Sequence, residues 1–150
     1  MQEERPAQET DDRGPDQPFG HDRVVLLECN IDDMTAEELA YALDQVLSRG
    51  ALDGWFTRIQ MKKGRPGTMF SVLCTRGDSA ALRELLLRET STLGVRWRIY
   101  ERSVCQRDIV SVETPWGAVR CKRKLLDGKV LSVKPEYDDC AHLAQREGLP

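Results

Sequence analysis

An α+β fold is predicted: a ferredoxin-like split βαβ unit, with an antiparallel sheet and both helices on one face, followed by an added β-hairpin region and a C-terminal helix. Three observations carry it. Hydrophobic periodicity alternates between the strand and the helix pattern in the order strand, helix, strand, strand, helix, strand. Capping and turn residues fall where the period changes. Beyond residue 105 the alternation continues through two turn signals, Thr114-Pro115-Trp116-Gly117 and Asp127-Gly128, before a last helical stretch.

Met1 to Asp22 carries seven acids, two bases and three prolines, with Phe19 its only large apolar residue besides Met1. That is the composition of a disordered acidic arm. Setting it aside changes a chain of net charge −3 into a body of 18 acids and 20 bases, near +2. Such weak basicity suits one phosphorylated ligand and argues against a nucleic-acid binder. Val24 to Ile31 is a nearly continuous apolar run, as a central strand requires. Thr35-Ala36-Glu37-Glu38 has the form of a capping box, Leu39, Leu43, Val46 and Leu47 repeat at helical spacing, and Gly50 supplies a left-handed stop.

Trp55 to Met61 alternates as a strand, and Thr68 to Thr75 is a second β-rich run across the basic turn Lys62–Gly67. Asp78 or Ser79 caps a second helix with Leu82, Leu85 and Leu86 on its apolar face, Gly94 closes it, and Val95 to Cys105 alternates again. Asp108–Glu113, Ala118–Lys124 and Lys129–Lys134 read as added strands; Pro135 opens the final helix. The organisation is an arm at 1–22, a ferredoxin-like domain at 23–105 and the added region at 106–150. Five widely spaced cysteines without a C-x-x-C argue against structural zinc, and two histidines are too few for a histidine-built metal site. With no signal peptide and no apolar run of bilayer-spanning length, the chain reads as cytoplasmic, with reduced thiols and no membrane partner.

Four stretches could carry chemistry. Asp32 and Asp33 follow the first strand and precede a helix that Thr35 already caps, so helix initiation does not require them. Paired carboxylates there can hold a divalent cation on a nucleotide's phosphates; equally, they read as solvated turn residues favoured by the helix dipole. Lys62, Lys63 and Arg65 in a glycine-containing turn can approach phosphate oxygens, although hairpin tips commonly collect solvated lysines. Thr90, Ser91 and Thr92, followed by Gly94 and Arg96, could donate to phosphate, or form a frayed last turn. Lys134, Glu136 and Tyr137 flank Pro135 and offer a cation, a carboxylate and an aromatic ring where a strand becomes a helix.

In order, Asn30-Ile31-Asp32-Asp33-Met34-Thr35, then Trp55-Phe56-Thr57 with Ile59-Gln60-Met61-Lys62-Lys63 and Arg65-Pro66-Gly67, then Glu89-Thr90-Ser91-Thr92-Leu93-Gly94-Val95-Arg96, then Lys134-Pro135-Glu136-Tyr137, resemble the C-terminal domain of the LarC family. That family comprises the nickel-insertion proteins, or cyclometallases, of nickel-pincer cofactor biosynthesis. The resemblance runs from about Val24 to Pro150. It implies a lyase-class enzyme that uses CTP, with Mn²⁺ or Mg²⁺, to insert nickel into pyridinium-3,5-bisthiocarboxylic acid mononucleotide. On that resemblance Asp32 and Asp33 hold the metal, while Lys62, Lys63, Arg65 and Arg96 neutralise phosphate. Thr90 and Thr92 donate hydrogen bonds, and Lys134, Glu136 and Tyr137 face the nucleotide or activated substrate.

The family's N-terminal domain has no counterpart in this sequence, so the chain reads as a separated C-terminal half with nickel handling on another polypeptide. The family pattern also continues past the equivalent of Pro150. Basic, exposed-looking strands predict a homo-oligomer. The alternative is a non-catalytic ferredoxin-like module for small-ligand binding or subunit pairing; without aromatic RNP runs, an RNA-binding version fits poorly.

Overall fold

The computed structural model describes residues 19–150; most of the predicted acidic arm lies outside them. The elements are β1 (Gly20–Ile31), α1 (Ala36–Ser48), β2 (Asp53–Gln60), a 3₁₀ turn (Lys62–Gly64), β3 (Pro66–Cys74), α2 (Ser79–Glu89), β4 (Arg96–Val104), β5 (Gln106–Thr114), β6 (Gly117–Leu126), β7 (Lys129–Pro135) and α3 (Tyr137–Glu147). Among the described residues two compact units result, one of Arg23–Arg102, the other of Ser103–Pro150 with residues 19–22.

In the first unit the strands lie in the order β2-β3-β1-β4, as the split βαβ pattern requires. β1 and β3 run antiparallel with Cys29 opposite Phe70 and Leu27 opposite Val72. Strand side chains alternate between faces, so Val25, Leu27, Cys29 and Ile31 point one way and meet Phe70, Val72 and Cys74. α1 covers that face with Leu39, Ala42 and Val46, and α2 with Leu82, Leu85 and Leu86. The intervening Glu28 and Asn30 are thereby committed to the opposite face.

The capping box forms as the sequence predicts: the Thr35 hydroxyl accepts from Glu38 N at 3.3 Å, and the Glu38 carboxylate accepts from Thr35 N at 2.7 Å. The second helix departs from expectation at both ends. Asp78 makes no side-chain cap; its carboxylate accepts from the Thr75 hydroxyl instead. The helix stops at Glu89 rather than at Gly94, because Thr90 turns extended and its hydroxyl donates to Leu86 O at 2.6 Å, satisfying an end carbonyl without glycine.

The second unit is a β5-β6-β7 sheet with α3 packed on β6, around Val119, Cys121 and Leu143 with Val110 and Cys140. Asp127 (φ 51°) and Gly128 (φ 68°) make the predicted two-residue hairpin. The start of α3 is tied down beyond the end of β7. Glu136 N donates to Arg120 O at 2.8 Å, and the Asp139 carboxylate accepts from Arg120 N, Nε and Nη2 at 2.9–3.0 Å. Those bonds, the guanidinium's first and the backbone N–H next, hold the Asp139 carboxyl at about 2. A depressed carboxyl contributes stability above its unfolded value near ~4 and loses it as pH falls through the folded value. Asp139→Asn should therefore lower the melting temperature at pH 7, and the gap from wild type should close as both are melted at successively lower pH toward 2.

Candidate functional site

The end of β1 gathers most of the candidate residues of the first unit. Thr35 takes over helix capping, leaving Asp32 and Asp33 in the bend between β1 and α1. The Lys62–Gly67 turn is folded back toward them. Lys63 (φ 61°) and Gly64 (φ 71°) are successive left-handed residues, a reversal that glycine accepts freely and lysine at a cost of about 1 kcal/mol. Gly67 is needed for a different reason. A Cβ there would lie 2.5 Å from Met61 Sδ and 3.1 Å from Ile31 O, so any larger residue would have to displace the Met61 side chain and ease the turn away from the β1 terminus.

The result is an Arg65–Asp32 ion pair at 3.0 Å, with the Asp32 side chain 20% exposed and that of Arg65 53% exposed. Asp33 accepts a hydrogen bond from the Ser91 hydroxyl, and Ser91 N donates to Met34 Sδ at 3.3 Å. The turn after α2 is thus fastened to the carboxylate bend. Arg96 is oriented by β1 and β3: Nε donates to Glu28 at 3.1 Å, and Nη2 to Asn30 Oδ1 and Met69 Sδ, each at 3.0 Å. Thr90 and Thr92 use their hydroxyls locally, donating to Leu86 O and Gly94 O. Lys62 and Lys63 are exposed and make no ion pair among the described residues. Cys29, next to this cluster in sequence, has no exposed surface, and burial pushes its thiol up to about 11 against the opposing pull of Thr92 and Arg96. It is a core residue held as the neutral thiol.

Lys134, Glu136 and Tyr137 belong to the second unit. Lys134 stands in register with Lys122, Glu136 pairs with Lys122 at 2.9 Å, and Tyr137 opens α3 with 81% of its surface exposed. Glu28 and Asn30 escaped the sequence reading as site residues, and Ser91, read as a possible phosphate donor, instead donates to Asp33. Glu28 and Asn30 carried a usable signal, being polar side chains alternating with the most apolar strand of the chain. Two concavities of about 320 and 360 Å³ in the first unit are lined by other residues, one beside Arg23, Arg76 and Glu101 and one between α2 and β4.

The donor chemistry can be tested against a divalent cation. Among the described residues no group of three His, Cys, Asp or Glu side chains could hold a metal ion, so a closed protein-only site is absent there. Asp32 and Asp33, adjacent in sequence, supply hard carboxylate oxygens of the kind that Mg²⁺ takes alongside other oxygen ligands; Asp32 is engaged by Arg65 and Asp33 by Ser91. No helix among the described residues is long and apolar enough to cross a membrane.

Residues 10–150 match the family described as nickel insertion protein. A putative nickel insertion protein of Roseiflexus castenholzii is 52% identical over 127 residues, covering 85% of this chain and 32% of the relative. The pyridinium-3,5-bisthiocarboxylic acid mononucleotide nickel insertion protein of Lactiplantibacillus plantarum is 43% identical over 129 residues, covering 86% of this chain and 30% of the relative. The chain thus spans about a third of these relatives' length. Among solved structures, apo LarC2, described as the C-terminal domain of a cyclometallase involved in the synthesis of the NPN cofactor of lactate racemase, superposes with a TM-score of 0.81 at 43% identity, covering 87% of this chain and 90% of that one. A Methanopyrus kandleri protein shares the fold at a TM-score of 0.67 and 23% identity. By the match that runs over residues 10–150, the chain belongs to the nickel insertion protein family.

Proposed function

We propose that this chain is the nucleotide-binding portion of a nickel-insertion enzyme, holding CTP with Mn²⁺ or Mg²⁺ while nickel, as substrate, is inserted into pyridinium-3,5-bisthiocarboxylic acid mononucleotide. The observation that carries the reading is the Asp32–Asp33 bend outside an already capped helix, with Arg65 3.0 Å from Asp32. Asp32 and Asp33 would hold the cation, which supplies electrostatic neutralisation of the triphosphate. Lys62, Lys63, Arg65 and Arg96 would compensate phosphate charge, Arg96 from a guanidinium fixed by Glu28 and Asn30. Thr90 and Thr92 would donate to the nucleotide after giving up their local carbonyls.

A substrate carboxylate or phosphate oxygen attacks the α-phosphorus of CTP and pyrophosphate leaves. Fixed cations where negative charge accumulates lower that barrier. The remainder of the enzyme, on the same or another polypeptide, would handle nickel, and the working state would be a cytoplasmic homo-oligomer.

Calorimetry with CTP, ATP, GTP and UTP in Mn²⁺ buffer tests the assignment. CTP should bind at least about tenfold more tightly than the other three, a difference of about 1.4 kcal/mol. Equal affinities would make the site a general triphosphate site, and no binding to the folded chain would favour a non-catalytic module.

A further inference from the structure

The β5-β6-β7 sheet presents a row of cations that the sequence reading, which singled out only Lys134, did not foresee. Lys122 is opposite Lys134 across β6–β7, and Arg107 is opposite Lys124 across β5–β6. Because Lys122 and Lys124 are two residues apart on β6, all four share one face. That face is opposite the one bearing the buried Val119 and Cys121, and all four residues are exposed. Like charges directly across an antiparallel pair are destabilising, and here two such pairs are adjacent. Glu136 offsets Lys122 at 2.9 Å, whereas Arg107, Lys124 and Lys134 make no ion pair among the described residues.

We infer that this face is a binding site for a compact polyphosphate anion, recognised jointly by Arg107, Lys122, Lys124 and Lys134. Strand spacing and rise set its size at roughly 10 Å across three strands and 7 Å along them. A di- or triphosphate chain fills that area. A nucleic-acid strand requires a longer track of several nucleotides, and a body of 18 acids and 20 bases lacks the strongly basic footprint of a nucleic-acid binder. The inference shares Lys134 with the nucleotide reading and in that respect rests on it, but its other three residues stand on strand register alone.

The test is calorimetry of the full chain with inorganic tripolyphosphate at low salt, comparing wild type, Arg107→Gln/Lys124→Gln and the charge-matched control Arg49→Gln/Arg88→Gln in the other unit, at the end of α1 and on α2. Each lost charge-assisted contact is expected to weaken binding about tenfold, so about a hundredfold for the first pair, with little change in the control. Relief of the opposed charges should also raise the melting temperature of the first pair. Absence of tripolyphosphate binding to wild type, or equal losses in both pairs, would overturn the site. A wild type that binds tripolyphosphate through this face but shows no CTP preference would defeat the nucleotide reading alone. CTP binding with tripolyphosphate affinity unchanged in Arg107→Gln/Lys124→Gln would defeat this inference alone.

Discussion

Asp32→Ala/Asp33→Ala should reduce CTP affinity in Mn²⁺ buffer by about a hundredfold, close to 2.7 kcal/mol, and leave the protein folded. Stability is spared because neither carboxylate caps α1, a task held by Thr35 with Glu38. Losing Asp32 strands Arg65, but that side chain is 53% exposed and water replaces the partner cheaply. Losing Asp33 removes the Ser91 contact from an exposed turn. The sharper expectation comes from chelation. In EDTA the two aspartates of wild type face the triphosphate without a cation between them, and like charges repel. The double variant should therefore bind CTP in EDTA as well as wild type or better, reversing the order seen in Mn²⁺. Isothermal titration in both buffers reads this directly; a double variant that matches wild type in Mn²⁺ would remove these carboxylates from the site.

Phe70→Ala is expected to cost about 3–5 kcal/mol, enough to leave the first unit largely unfolded at physiological temperature. Phe70 has no exposed surface, lies on a strand flanked by β1 and β2, stands opposite Cys29 of β1 and packs against Phe56 with the rings tilted by 46° and their centroids 4.6 Å apart. Both helices close over the same cluster, so no single element can collapse into the void. Chemical denaturation followed by circular dichroism should show the midpoint falling sharply. A loss below about 1 kcal/mol would mean that the packing is looser than the burial indicates.

Local rules were the most legible part of the fold. The Thr35 box, the Gly50 stop and the Asp127-Gly128 hairpin each depend on a few neighbouring residues, and each forms. Alternation in β1 and spacing in α1 located the core for the same reason. The end of α2 was misread because a threonine hydroxyl can satisfy an end carbonyl as glycine geometry does, and sequence alone does not show which way that hydroxyl turns. The candidate site was half legible. Residue types marked Asp32, Asp33 and Arg65, but Arg96 to Glu28 spans 68 positions and Ser91 to Asp33 spans 58, so those ties appear only once β1, β4 and the turn after α2 are brought side by side. The cationic face of β5–β7 was hidden likewise, since it exists only through the strand register.

The most direct measurement replaces the matching segment of the Lactiplantibacillus plantarum relative with this chain and follows nickel incorporation into pyridinium-3,5-bisthiocarboxylic acid mononucleotide by mass spectrometry. Insertion should require CTP and a divalent cation and be lost with Asp32→Ala/Asp33→Ala. A soluble chimera that binds CTP with Mn²⁺ yet inserts no nickel, or inserts it equally well without CTP, would contradict it.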